Sequence, residues 1–108
     1  MKIIITGGRN FNDYEKVKNT LDSLNPSLIV HGDCRGADKL ASIYATEKGV
    51  RQLKYPYISK YGRAGGPIRN FKMCSENKDA FLVAFPGGNG TDSCVKIAEK
   101  LGLKVLKF

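Results

Sequence analysis

Three short runs of consecutive apolar residues constrain this chain most. "KIIIT" (2–6), "LIVH" (28–31) and "AFLVAF" (80–85) show no inside–outside alternation. A strand that is apolar at successive positions needs cover on both faces, the condition of a parallel sheet held between two helical layers. Two further β-like runs, "RQLKYPY" (51–57) and "LKVLKF" (103–108), bring the set to five.

Between these runs the apolar period lengthens to that of a helix. Tyr14, Val17, Leu21 and Leu24 form one stripe, and Asn12 with Glu15 three residues later reads as a capping box. Ala37, Leu40, Ala41 and Tyr44 form a second, closed by Gly49. A third helix is expected from Pro67, a residue suited to a first helical position. On it Arg69, Met73 and Glu76 share one face, opposite Ile68 and Phe71. Cys94, Ile97, Ala98 and Leu101 form the last stripe, closed by Gly102.

Strand–helix alternation with short connections implies right-handed crossovers. The expected fold class is α/β: a single Rossmann-like, three-layer domain over residues 1–108, with a mainly parallel five-stranded sheet ordered 3-2-1-4-5. At this length a second core has little room. In that order strands 1 and 4 are neighbours at the switch point, where ligands bind beyond the carboxyl ends of the strands.

Composition narrows the function classes. No apolar stretch approaches the roughly 20 residues of a membrane span. The opening run is short and lacks a cleavage site, so it reads as a first strand, and a cytoplasmic location is expected. Cys34, Cys74 and Cys94 form no C-x-x-C pair, and the chain has one histidine. Neither a disulfide framework nor a metal site is expected. A net charge of +8, from 18 basic and 10 acidic residues, favours anionic partners.

Two glycine-rich loops then stand out. "TGGRNF" (6–11) follows strand 1 and "PGGNGT" (86–91) follows strand 4. Each enters a helix whose free N–H groups suit an anion. Thr6, Thr91 and Asp92 offer oxygen atoms, and Arg9 offers a planar cation for phosphate. Neither loop has the Walker spacing or the G-x-G-x-x-G fingerprint, so no dinucleotide or other cofactor is expected. After strand 2, "HGDCRGAD" (31–38) places Asp38 in a first helical turn, either to complement the helix dipole or to bond a ribose hydroxyl. His31, ending an apolar strand, reads as packed or hydrogen-bonded. Cys94 reads as core. Arg69 opposes the dipole near the start of its helix, which calls for a partner: a phosphate or carboxylate group, or a surface ion pair.

Four motifs in order, "GGR-x-F" (7–11), "HG-x-x-x-GAD" (31–38), "AGGPIRN" (64–70) and "FPGGNGT" (85–91), resemble the SLOG superfamily, in particular its small stand-alone YspA-like branch. That superfamily joins DNA-processing proteins with cytokinin-activating phosphoribohydrolases. The resemblance spans nearly the whole chain and implies a pocket for nucleotides or their ribose-phosphate derivatives. Its implied ligand-binding residues are Gly7, Gly8, Arg9, Gly32, Asp38, Arg69, Asn70, Pro86, Gly87, Gly88, Gly90 and Thr91. The phosphoribohydrolases use an arginine in an R-x-x-x-M-like helix, matched by Arg69 and Met73, and a glutamate after P-G-G-x-G-T. Here Asp92, Ser93 and Cys94 follow Thr91, with no glutamate. Arg69 and Asp92 are therefore the candidate catalytic pair, with Asp33 or Asp38 as substitutes for the carboxylate.

The leading expectation is a sensor or carrier of a nucleotide-derived ligand. The alternatives are a nucleoside-monophosphate phosphoribohydrolase with atypical acid–base residues, and nucleic-acid binding through the basic surface. A homodimer is also expected from the resemblance.

Overall fold

A computed structural model describes all 108 residues. Its strands are β1 (Lys2–Thr6), β2 (Leu28–His31), β3 (Arg51–Lys54), β4 (Phe81–Ala84) and β5 (Val105–Lys107). They form one sheet in the order β3-β2-β1-β4-β5. Every pairing is parallel, with Ile4 opposite both Val30 and Leu82 at the centre.

The helices are α1 (Tyr14–Leu24), α2 (Ala37–Lys48), α3 (Gly65–Ser75) and α4 (Asn89–Lys100). Side chains of a strand alternate between the two faces of its sheet, and each face here has its own core. Ile3, Ile5, Ile29, Val83 and Phe85 pack with Val17 and Leu21 of α1 and Ala41 and Tyr44 of α2. Ile4, Val30, Leu82 and Ala84 pack with Met73 and Cys74 of α3 and Cys94 and Ala98 of α4. That double cover is why the three apolar runs carry no polar alternation. On the outer face of α3, Ile68 and Phe71 stand exposed.

Several boundaries depart from the sequence reading. The sheet is wholly parallel, because every connection is a helical crossover. β3 stops at Lys54: the Tyr55 N–H still reaches His31 O at 2.8 Å, but Pro56 has no N–H to continue the ladder. The α1 cap is Asp13, whose Oδ1 accepts from Lys16 N–H at 3.1 Å, and not Asn12. α3 starts at Gly65, so Pro67 lies third in a first turn whose N–H groups have no helical partner in any case. A 3₁₀ segment, Ser59–Ala64, bent at Gly62 (φ 58°), leads into that helix. These changes leave the loops after β1, β2 and β4 in place and lengthen the one after β3.

Candidate functional site

The loops after β1 and β4 meet. Gly8 N–H donates to Pro86 O at 2.9 Å, while Gly8 O accepts from Phe11 N–H and Ala37 N–H at 3.2 Å each. One residue thereby ties together the loops that precede α1, α2 and α4. A Cβ on Gly87 would strike Thr91 Oγ1 and come within 2.6 Å of Gly8 N. The close approach of these loops therefore requires glycine at 87.

Above this junction lies a cleft of about 560 Å³. Its walls include Thr6, Gly7, Gly8 and Arg9 after β1, Gly32, Cys34 and Asp38 after β2, and Gly88, Asn89, Gly90, Thr91 and Ser93 at the start of α4. Tyr57, Gly66, Pro67, Arg69, Asn70 and Met73 close the remaining side. A volume of this size lies within the range of small-molecule sites. Of the residues singled out from sequence, Pro86, Gly87 and Asp92 do not line it. They border a neighbouring groove with Lys96 and Phe108, on the far side of the α4 start.

The first turn of α4 is open. Gly88 occupies the N-cap position, and no side chain caps the helix. The first helical bond runs from Asp92 N–H to Gly88 O at 3.0 Å, leaving the N–H groups of Asn89, Gly90 and Thr91 ahead of the ladder. Cβ atoms at Gly88 or Gly90 would meet nothing within 4 Å, and neither residue has a positive φ. Packing gives no reason for glycine at either position, and at Gly90 the backbone gives none; Gly88, at φ −101° and ψ −142°, is the N-cap, a position that takes glycine readily. Arg9, exposed at the cleft wall, makes no hydrogen bond or ion pair with the rest of the chain.

The opposite wall is internally bonded. Asp38, 8% exposed, accepts at Oδ2 from Gly32 N–H and Cys34 N–H, both at 3.2 Å. Burial raises its pKa above the ordinary carboxylate value, although those two N–H bonds and the neighbouring His31 and Arg69 pull the other way. Arg69 Nη1 donates to Gly32 O at 2.8 Å and Tyr55 O at 3.1 Å. Its Nε donates to Asn70 Oδ1 at 2.8 Å, and both terminal nitrogens lie 3.8 Å from Cys34 Sγ. The partner that Arg69 called for is thus a pair of backbone carbonyls, not a surface carboxylate. The guanidinium clamps the ends of β2 and β3 to α3.

Because the Arg69 side chain is donor-only, the Asn70 atom it bonds must be the oxygen, and the amide Nδ2 is left as a donor. Asn70 is 6% exposed, lines the cleft, and has no acceptor for Nδ2 within the chain. His31 lies deeper. Its Nδ1 accepts from Asp33 N–H at 3.0 Å, which leaves Nε2 to donate to Gln52 Oε1 at 3.0 Å. Cys94 is 1% exposed and sits beside Cys74, whose thiol is pushed up by that contact and by burial. Asp33 points away, 4.0 Å from Lys54 Nζ.

Sequence reasoning missed Tyr57, Cys34, Asn89 and Ser93 as wall residues. Tyr57 had a usable signal, since it follows the carboxyl end of a strand in a parallel sheet. Its assignment to β3 concealed it.

A model of the YAcAr family (YspA, cpYpsA-related SLOG) matches residues 1–58, from β1 to just past β3. The chain belongs to this SLOG family. It is also 34% identical over 122 aligned residues to the Gene 61 protein of Mycobacterium phage D29, with 99% of this chain and 95% of that protein covered. The family match takes in the β1 and β2 loops. The α3 and α4 walls of the cleft lie beyond it. No helix of the chain is long and apolar enough to cross a membrane.

Proposed function

We propose that this SLOG protein binds a nucleotide-derived ligand in the cleft, with a phosphate seated on the N–H groups of Asn89, Gly90 and Thr91, and acts as a sensor or carrier. One observation carries the reading: the α4 start is uncapped and faces the cleft, and Gly90 stands in its first turn although no neighbouring atom and no positive φ calls for glycine there. Glycine in a helix costs about 0.5–1 kcal/mol relative to alanine, so a first-turn glycine without a packing role points to close approach by a ligand. The helix dipole adds attraction for an anion, and Arg9 supplies a free cation across the cleft. Asn70 Nδ2 is the donor for a sugar or phosphate oxygen.

Turnover has weaker support. Of the residues after Thr91, Asp92 lies outside the cleft, Ser93 has no carboxylate and Cys94 is buried. Asp38 is the only carboxylate in the wall, and two backbone N–H groups already hold its Oδ2. The test is to incubate the protein with a panel of nucleoside monophosphates and cyclic or ADP-ribose-type nucleotides. Thermal shift reads binding, and chromatography of the same samples reads released base. The expected result is stabilisation without release, abolished in Gly88→Val. Release of free base would replace this reading with hydrolysis. A response only to nucleic acid, falling steeply with salt, would replace it with nucleic-acid binding.

A further inference from the structure

Resting on that reading, we infer that Tyr57 is the platform on which the base of the bound nucleotide stacks, so that the site selects ligands carrying a base over bare sugar phosphates. Tyr57 is the one aromatic side chain in the cleft wall. It remains 41% exposed, yet its ring is held in place. The hydroxyl donates to Gly62 O, and ring atom Cε2 stands 3.5 Å from where a Cβ on Gly66 would be. The ring thus lies against the glycines at the start of α3, tethered through its hydroxyl and not covered. An aromatic surface that is fixed in advance loses little freedom on binding, and every base has a π-face to set against it.

The position fits the length of such a ligand. Tyr57 leaves the sheet after β3, three strand intervals from β4, whose loop forms the phosphate seat. At about 4.8 Å per interval the two strands from which these segments rise stand about 14 Å apart. The tyrosine side chain takes up part of that gap and a nucleoside monophosphate the rest. A free phosphate or a ribose phosphate would leave the aromatic end unused. Asn70, whose Nδ2 has no acceptor in the chain, is a donor of the same wall available to the sugar.

Calorimetric titration with adenosine 5′-monophosphate and with ribose 5-phosphate separates this inference from the phosphate seat. The wild-type protein should bind the nucleotide roughly 10- to 100-fold more tightly than the sugar phosphate, the range that base–aromatic stacking supplies. Tyr57→Phe, which keeps the ring but loses its tether to Gly62, should keep part of that preference. Tyr57→Leu should lose it while binding ribose 5-phosphate as before, which also reports that the variant is folded. In the wild-type complex, base protons should show nuclear Overhauser contacts to the Tyr57 ring, a readout that needs no variant. Equal affinity for the two compounds, a preference that survives Tyr57→Leu, or a missing base-to-ring contact would overturn the platform and leave the phosphate seat standing. Failure of the wild-type protein to bind either compound would overturn both.

Discussion

Two helix starts face the same cleft, and neither has a side-chain cap, yet their surroundings differ. At α2, Ala37 N–H donates to Gly8 O, and the Asp38 carboxylate turns back to bond the N–H groups of Gly32 and Cys34. Gly36, just before it, has φ 80°, and a Cβ there would run into the Gly8 carbonyl. At α4 no side chain turns back, and Gly88 and Gly90 face empty space. In sequence, "GDCRGAD" and "GGNGTD" look like variations on one theme, glycines leading to an aspartate in the first turn. In space the first is a closed joint and the second an open seat. The difference lies in what a Cβ would meet, and composition cannot report that.

The comparison breaks most readily at Gly36. Gly36→Ala should cost at least about 2 kcal/mol, because it adds a backbone collision to an unfavourable φ, and urea unfolding would measure it. Asp38→Ala should follow at about 1–3 kcal/mol, since it strands the Gly32 and Cys34 N–H groups. Gly90→Ala should do the reverse. Stability should hold or rise by up to about 1 kcal/mol, while affinity for a nucleoside monophosphate falls about tenfold. A Gly90→Ala protein that binds normally would erase the distinction between the two helix starts.

The smallest effect concerns pH. Burial raises the Asp38 pKa in the folded protein. Its contribution to stability is therefore full below the ordinary carboxylate pKa and is lost as pH rises through the raised one. Asp38→Asn has no charge to desolvate. Wild-type stability relative to this variant should accordingly decline as pH rises across that interval, followed by urea unfolding at stepped pH. A difference independent of pH would mean that Asp38 is not desolvated as its burial suggests.

The sheet was legible because its cause is local. Double-sided burial writes itself as unbroken apolar runs, and handed crossovers restrict the strand order to a few doubly wound ones. The segment 55–64 was less so. A tyrosine-rich stretch after Lys54 reads as strand until Pro56 is given its full weight, and the 3₁₀ turn that brings Gly65 and Gly66 back to Tyr57 has no apolar period to announce it. Arg69 was marked correctly as a residue in need of a partner. Its partners are main-chain carbonyls of Gly32 and Tyr55, which no side-chain pattern announces. That has a practical consequence: Arg69→Ala would loosen the β2 and β3 ends, and lost binding in that variant would not identify a ligand contact. Asp92 stands next to Thr91 in sequence but turns to the neighbouring groove, the outcome of the 100° step between successive helical residues.

The most direct measurement is a backbone amide chemical-shift titration of the wild-type protein with a nucleoside monophosphate. The largest movements should fall on Asn89, Gly90 and Thr91, with Ala37 and Asp38 at the α2 start nearly still. Movements centred on Ala37 and Asp38, or none at the α4 start at saturating ligand, would contradict an open phosphate seat at α4.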